Sequence, residues 1–363
     1  MTGLSPPRIP RTGPRQIQPC RIRPGQIRPR RAKPRQIRPR QAQPRRAAAL
    51  GALAALAIAA MLTACSSSPP ATRPPAAGTP ATTAPAASPT AASPASIAQA
   101  SVRVAQTSDG AVGYREVGSG PPLVLISGFG ATIDDWAPGF VDALAGGHRV
   151  VVPDNAGVGK TAALPGPLTI SALADQVSAL MSALHLGRSD VLGWSMGGMT
   201  AQALAVRHPA QVGALVLAAT QPGNGHSLPV PKAAAAALTS TNPAVVLSVL
   251  FPASQRAAEA LYVEGILQYP DREQVAASVA AQQGHAISVW LGGTDPAGRA
   301  TAHLRVRTLV ADGTADALDP VANDRQLAAL IPGAQLVLYP GAGHAFLFQD
   351  QSAFVPRLEQ FLG

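Results

Sequence analysis

The 363-residue sequence predicts an α/β fold: a mostly parallel central sheet with helices on both faces, interrupted by one helical cap insertion. Three observations predict it. From Ser101 onward, short branched-apolar runs alternate with longer runs of helical spacing. Ser195 stands between Gly193 and Gly197 where one apolar run gives way to a helical one. Two later loops, each following an apolar run, carry an aspartate and then a histidine.

Taken in order, residues 102–105 and 111–117 read as an opening hairpin turned by Ser108-Asp109-Gly110. Residues 123–126, 150–152, 191–193, 214–218, 308–311 and 335–339 are short, largely apolar runs and read as strands buried on both faces. Between them, residues 135–145, 170–186, 196–208, 319–330 and 352–362 carry apolar side chains at helical period. One segment breaks the alternation. Residues 221–303 are Ala-rich and mostly helical in pattern, and an insertion of that length at the catalytic edge reads as a cap. Its Phe251, Leu261, Tyr262, Ile266, Tyr269 and Trp290 should form the cap's own small core, with some facing a substrate.

The first hundred residues differ in kind. Residues 1–46 hold 14 of the 29 Lys and Arg and none of the 19 Asp and Glu, so the remainder carries 15 positive against 19 negative charges, or −4. The formal +10 therefore belongs to the arm, and it excludes a nucleic-acid partner for the mature domain. Built from Arg/Pro-rich units such as Arg35 to Pro39, the arm should be disordered. It reads as an overlong signal n-region or an early start, and alternatively as an arm for nucleic acid or membrane.

Residues 47–62 are apolar after Arg45 and Arg46, and they run into Leu62-Thr63-Ala64-Cys65. This resembles the lipobox of bacterial lipoprotein signal peptides, which implies signal and lipobox at 47–64, a lipid anchor on Cys65 and a place on the extracytoplasmic face of the cell membrane. Sixteen residues at about 1.5 Å each reach about 24 Å, short of a hydrocarbon core of about 30 Å, so cleavage is favoured over a retained span. Residues 65–100 are Ala, Pro, Ser and Thr with one charge, Arg73, and should be a flexible tether. With cysteine only at 20 and 65, the mature domain has no internal disulfide, thiol nucleophile or Cys metal ligand.

A serine hydroxyl needs a histidine to take its proton and a carboxylate to orient that histidine. Gly193-Trp194-Ser195-Met196-Gly197-Gly198 is followed by Asp312-Gly313-Thr314-Ala315-Asp316 and by Gly341-Ala342-Gly343-His344, all on loops after apolar runs. Gly157-Val158-Gly159-Lys160-Thr161 mimics the tail of a phosphate loop, but Asp154 occupies the position where that loop needs glycine. No metal-ligand spacing occurs among the seven histidines, and no cofactor is expected.

The three stretches, in this order, resemble the α/β-hydrolase fold family over about residues 101–363. The resemblance implies Ser195 as nucleophile, His344 as general acid and base and Asp316 as the orienting acid. Asp312 and Asp319 are the rival acids; Asp316 stands at the family's acidic position, and Asp319 before Pro320 reads as a helix N-cap. The oxyanion donors should be the N–H of Met196 and that of Phe129, in Ser127-Gly128-Phe129-Gly130, which resembles the family's His-Gly-x-Gly loop with Ser127 in place of His. Gly128 and Trp194 should line the acyl pocket.

The function this implies is a lipid-anchored serine hydrolase acting on a small-molecule acyl substrate, an ester or else an amide or lactone, through an acyl-enzyme. A cofactor-free haloperoxidase or perhydrolase and a non-catalytic binding lipoprotein are the alternatives. The oligomeric state is not legible in the sequence.

Overall fold

The computed structural model describes residues 95–363. Eight strands form one sheet: β1 (Arg103–Thr107), β2 (Gly110–Val117), β3 (Pro122–Ile126), β4 (Arg149–Pro153), β5 (Ser189–Trp194), β6 (Val212–Ala218), β7 (Arg307–Gly313) and β8 (Gln335–Tyr339). They lie side by side in the order β1-β2-β4-β3-β5-β6-β7-β8. The β1–β2 and β2–β4 pairs are antiparallel, and every pair from β4 to β8 is parallel.

The apolar runs follow from burial on both faces. In β3, Leu123 and Leu125 point into one core while Val124 and Ile126 point into the other. The first core lies under α1 (Pro138–Ala145) and is dominated by Trp136, Phe140, Phe346 and Phe354. The second lies under α2 (Ile170–Ala183) and α3 (Met196–Arg207), with Leu180, Met181 and Leu204 among its members. Thr169 starts α2 by accepting a hydrogen bond from Ala172 N–H at 3.0 Å, one of the donors a helix start leaves unmet.

The insertion between β6 and β7 contains α4 (Lys232–Leu238), α5 (Pro243–Leu250), α6 (Arg256–Ile266), α7 (Ala277–Leu291) and α8 (Pro296–Ala300). Its large side chains are committed to packing. Phe251, Tyr262, Ile266 and Tyr269 join the first core and Trp290 the second. Tyr262 Oη donates to Asp135 O at 3.0 Å and Tyr269 Oη to Trp136 O at 2.9 Å, so these rings fasten the insertion to the loop before α1. Leu261 alone of that set is exposed, at 69%. After β7 come α9 (Ala322–Leu330), then, beyond β8, α10 (Phe346–Gln349) and α11 (Gln351–Leu362).

Two expectations change. Packing against the domain begins before Ser101: Ile97 is fully buried, its N–H donates to Asp142 Oδ1 at 2.8 Å, and Ser96 Oγ donates to Asp142 Oδ2 at 2.6 Å. Ile97 is the one Ile, Leu or Val between 66 and 100, and its burial is what the tether's composition otherwise lacks. Asp319 is no helix cap, because α9 starts at Ala322 and the buried Asp319 accepts from the side-chain amide of Asn323 at 2.7 Å. Among the described residues, no helix is long and apolar enough to cross a membrane.

Candidate active site

Ser195 stands between the end of β5 and the start of α3 with φ 57° and ψ −121°, a conformation that costs a non-glycine residue about 1–3 kcal/mol. The strain is held from three sides. Ser195 N–H donates to Ala218 O at 2.9 Å, Thr220 Oγ1 donates to Ser195 O at 2.8 Å, and Gly198 N–H donates to the same carbonyl at 2.9 Å. The flanking glycines are required by crowding: a Cβ on Gly193 would overlap Gly197 O, and one on Gly197 would overlap Ile126 O. The turn thus aims the hydroxyl away from the sheet, at the carboxyl edge of the parallel strands where ligands of such sheets bind.

Asp316 and His344 arrive on the loops after β7 and β8. His344 Nδ1 lies 2.6 Å from Asp316 Oδ2. The other carboxylate oxygen accepts from Leu318 N–H at 2.6 Å and Asp319 N–H at 2.8 Å, which fixes the carboxylate's plane. With Asp316 accepting, Nδ1 carries the proton and Nε2 is left as the basic nitrogen. Burial works against the imidazolium, but the charge and hydrogen bond of Asp316, with a smaller contribution from Asp319, outweigh it and raise the His344 pKa above 6.5. The sites on β5 and after β8 are joined directly, because Trp194 Nε1 donates to His344 O at 2.9 Å.

Trp194 therefore differs from its expected place on an acyl-pocket wall. Its ring is buried against Trp136 and Phe348 and serves as a floor beneath the histidine. The residue before a nucleophile at this turn points down into the sheet, since side chains alternate along β5. Gly128 does adjoin the serine, where a Cβ would come within 3.2 Å of Ser195 Cβ.

The N–H of Phe129 and that of Met196, the first residue of α3, meet no acceptor among the described residues, so both are available to an anionic oxygen. Ser127 props the Phe129 loop through two side-chain contacts. Its Oγ accepts from Trp136 Nε1 at 2.9 Å, and Asn155 Nδ2 donates to its carbonyl at 3.2 Å. From the insertion, Gln283 Oε1 accepts from Gly130 N–H at 2.8 Å. Neither Trp136 nor Gln283 carries a motif that the sequence could reveal.

Asp312 and Asp319, the rival acids, lie behind the histidine and form a buried cluster with Asp324 in which carboxylate oxygens approach within 4.8 Å of one another. Burial, together with the neighbouring carboxylates, pushes all three up, Asp319 to about 7 and Asp324 to about 9. Four oxygens of the cluster, Asp312 Oδ2, Asp319 Oδ2 and both of Asp324, have no hydrogen-bond partner among the described residues. Two insertion arginines are already paired, Arg272 with Asp135 at 2.5 Å and Arg256 with Glu259 at 2.8 Å. Cys65, the basic arm, the signal segment and most of the tether lie outside the described residues.

A sequence profile for the alpha/beta hydrolase fold matches residues 121–351. The chain belongs to the α/β-hydrolase fold family. A curated relative from Caulobacter sp. (strain K31), named "Putative carbamate hydrolase RutD", is 31% identical over 270 residues, covering 69% of this chain and 95% of the relative. The enol-lactonase from Burkholderia xenovorans LB400 superposes with a TM-score of 0.56 at 28% identity, over 72% of this chain and 99% of that structure. An α/β-hydrolase fold protein from Chitinophaga pinensis gives a TM-score of 0.64 at 24% identity over 73% of this chain and 98% of its own, which is a likeness of fold. With such relatives, this α/β-hydrolase is an enzyme of the hydrolase class.

Proposed function

We propose that the chain is a lipid-anchored, extracytoplasmic serine hydrolase that cleaves a small ester, amide or lactone through an acyl-enzyme. The carrying observation is the strained Ser195 on its turn together with the Asp316–His344 pair at 2.6 Å on the same sheet edge. Relatives named for carbamate and enol-lactone hydrolysis support carbonyl substrates with an oxygen or nitrogen leaving group.

In this reading Ser195 Oγ attacks the carbonyl carbon as His344 Nε2 takes its proton, while Asp316 stabilises the imidazolium and holds its tautomer. The carbonyl oxygen becomes an oxyanion that accepts from the N–H groups of Phe129 and Met196, neither of which has another acceptor among the described residues. His344 then protonates the departing oxygen or nitrogen, and a water activated by the same histidine releases the acyl group as a carboxylic acid. Cys65 would tether the catalytic domain to the outer face of the membrane.

A fluorophosphonate probe should label the folded protein, and both labelling and hydrolysis of p-nitrophenyl esters should vanish in Ser195→Ala. Persistent turnover in that variant would refute the assignment. Anchoring is read separately, by incorporation of labelled palmitate that is lost in Cys65→Ser.

A further inference from the structure

Three carboxylates meet in the interior behind His344: Asp312 near the end of β7, Asp319 in the loop that follows, and Asp324 in the first turn of α9. None is more than 1% exposed, and acids are almost never buried so completely unless something pairs with them. Two of their six oxygens are paired, since Gly313 N–H donates to Asp312 Oδ1 at 2.7 Å and Asn323 Nδ2 donates to Asp319 Oδ1 at 2.7 Å. The four others have no partner among the described residues. One oxygen from each acid lies within 4.8 Å of the others, so the three side chains converge on a common point.

A neutral side chain from another element reaches the same place. Gln221, just beyond β6, is 3% exposed, and its amide lies beside the Asp319 carboxylate, whose charged form it favours. The residue is held from behind, because its backbone carbonyl accepts from Gln202 Nε2 at 3.1 Å and from Trp290 Nε1 at 3.1 Å. Its own Oε1 is buried and has no partner among the described residues. An amide oxygen is an acceptor only, so Oε1 and the four carboxylate oxygens all call for something positive. A shared proton joins only two oxygens at a time, whereas one cation can engage all five.

The donor set selects the cation. All five atoms are oxygens, which suits a hard ion, and five is most of the about six to eight that calcium takes. Calcium at about 2.4 Å from each ligand needs opposite oxygens about 4.8 Å apart, the span found here; magnesium at about 2.1 Å would require the acids to draw in. We propose that Asp312, Asp319 and Asp324, with Gln221 Oε1, form a structural calcium site behind His344. The ion ties the exit of β6, the end of β7 and the start of α9 to one point. It also holds the loop that orients Asp316, whose Oδ1 accepts from Leu318 N–H and Asp319 N–H. The site stands whether or not Ser195 is acylated.

Chelation followed by calcium addition tests this on the full chain. Titration calorimetry of EDTA-treated, dialysed protein should give one calcium per chain. Its Tm should rise by roughly 5–10 °C at calcium about a hundred times the Kd, and by clearly less with magnesium at the same concentration. In EDTA, Asp324→Asn should be at least as stable as the wild type, because it removes one of three crowded buried charges; in calcium the order should reverse. Unfolding of the wild type on chelation, restored by calcium, would equally support the site. No calcium binding, a Tm unchanged by calcium, or an equal rise with magnesium would overturn the proposal, and the wild type alone decides these. A full calcium-dependent rise retained in Asp324→Asn would place the ion elsewhere and overturn it too.

Discussion

Replacing Asp154 by Asn should stabilise this protein at alkaline pH, although it alters a buried residue. Asp154 is 4% exposed, and its Oδ1 accepts from Ile133 N–H at 2.8 Å. Its other oxygen converges with that of Glu273 over Gly159, where a Cβ would lie 2.8 Å from Glu273 Oε2. Burial raises the Asp154 pKa from 3.8 to about 7; the Ile133 hydrogen bond opposes this, and the charges of Asp134, Glu273 and Asp135 add to it. Between these two values the folded protein keeps a proton that the unfolded chain has released. The stability this group contributes is full below about pH 4 and is lost as pH rises through 7. At about 1.36 kcal/mol per pH unit, the loss approaches 4 kcal/mol above pH 7. Asparagine keeps the acceptor for Ile133, carries no charge, and can donate to Glu273. Urea unfolding of wild type and Asp154→Asn at pH 5 and pH 8 tests this. The variant should gain on the wild type by about 2–3 kcal/mol between the two pH values. An equal or greater loss of stability in the variant at pH 8 would show that the buried carboxylate is not what limits the protein there.

Three further outcomes follow from the site. Asp316→Asn should lower kcat by roughly three to four orders of magnitude while leaving the melting temperature within a few degrees, since the tautomer of His344 and not the fold is lost; a tenfold effect would point to a rival acid. The acid limb of kcat/KM against pH should have its midpoint above 6.5, because the base must be neutral and Asp316 holds its proton on; a midpoint below 6.5 would contradict the burial and pairing described. Gly197→Ala places a Cβ on Ile126 O, a backbone atom that cannot swing aside, and should destabilise by about 1–3 kcal/mol with loss of fluorophosphonate labelling, read by thermal unfolding and gel.

What the sequence discloses and what it hides divide along the reach of the interactions. The parallel strands are legible because both faces of β3, β5 and β6 are buried, which forces unbroken apolar runs. The glycines around Ser195 are legible because a turn of this kind leaves no room for a side chain two positions before or two after the serine. Gln283 is not, since it lies in an Ala-rich helix beside Gln282, and only tertiary contact separates a buried amide from a solvated one. Trp136 propping Ser127 is hidden for the same reason, and so is the Asp312–Asp319–Asp324 cluster: neither which aspartates are buried nor how close they come can be read from spacing. Ile97 was masked by the Ala/Pro/Ser composition around it.

The insertion grips the catalytic loops at two points. Gln283 holds the oxyanion loop, while the carbonyl of Leu250 at the end of α5 accepts from Ala345 N–H at 3.1 Å and from Gln349 Nε2 at 3.0 Å, with Gln349 Oε1 in turn accepting from Gly343 N–H. A cap tied this way is no interchangeable module. Transplanting one from a relative to change substrate range would also remove two supports of the reacting groups, so chimeras must carry Gln283 and the Leu250 turn with them or lose turnover for reasons unrelated to the new pocket. The same ties oppose a hinged opening: lifting the cap as one body would disorder the histidine it covers.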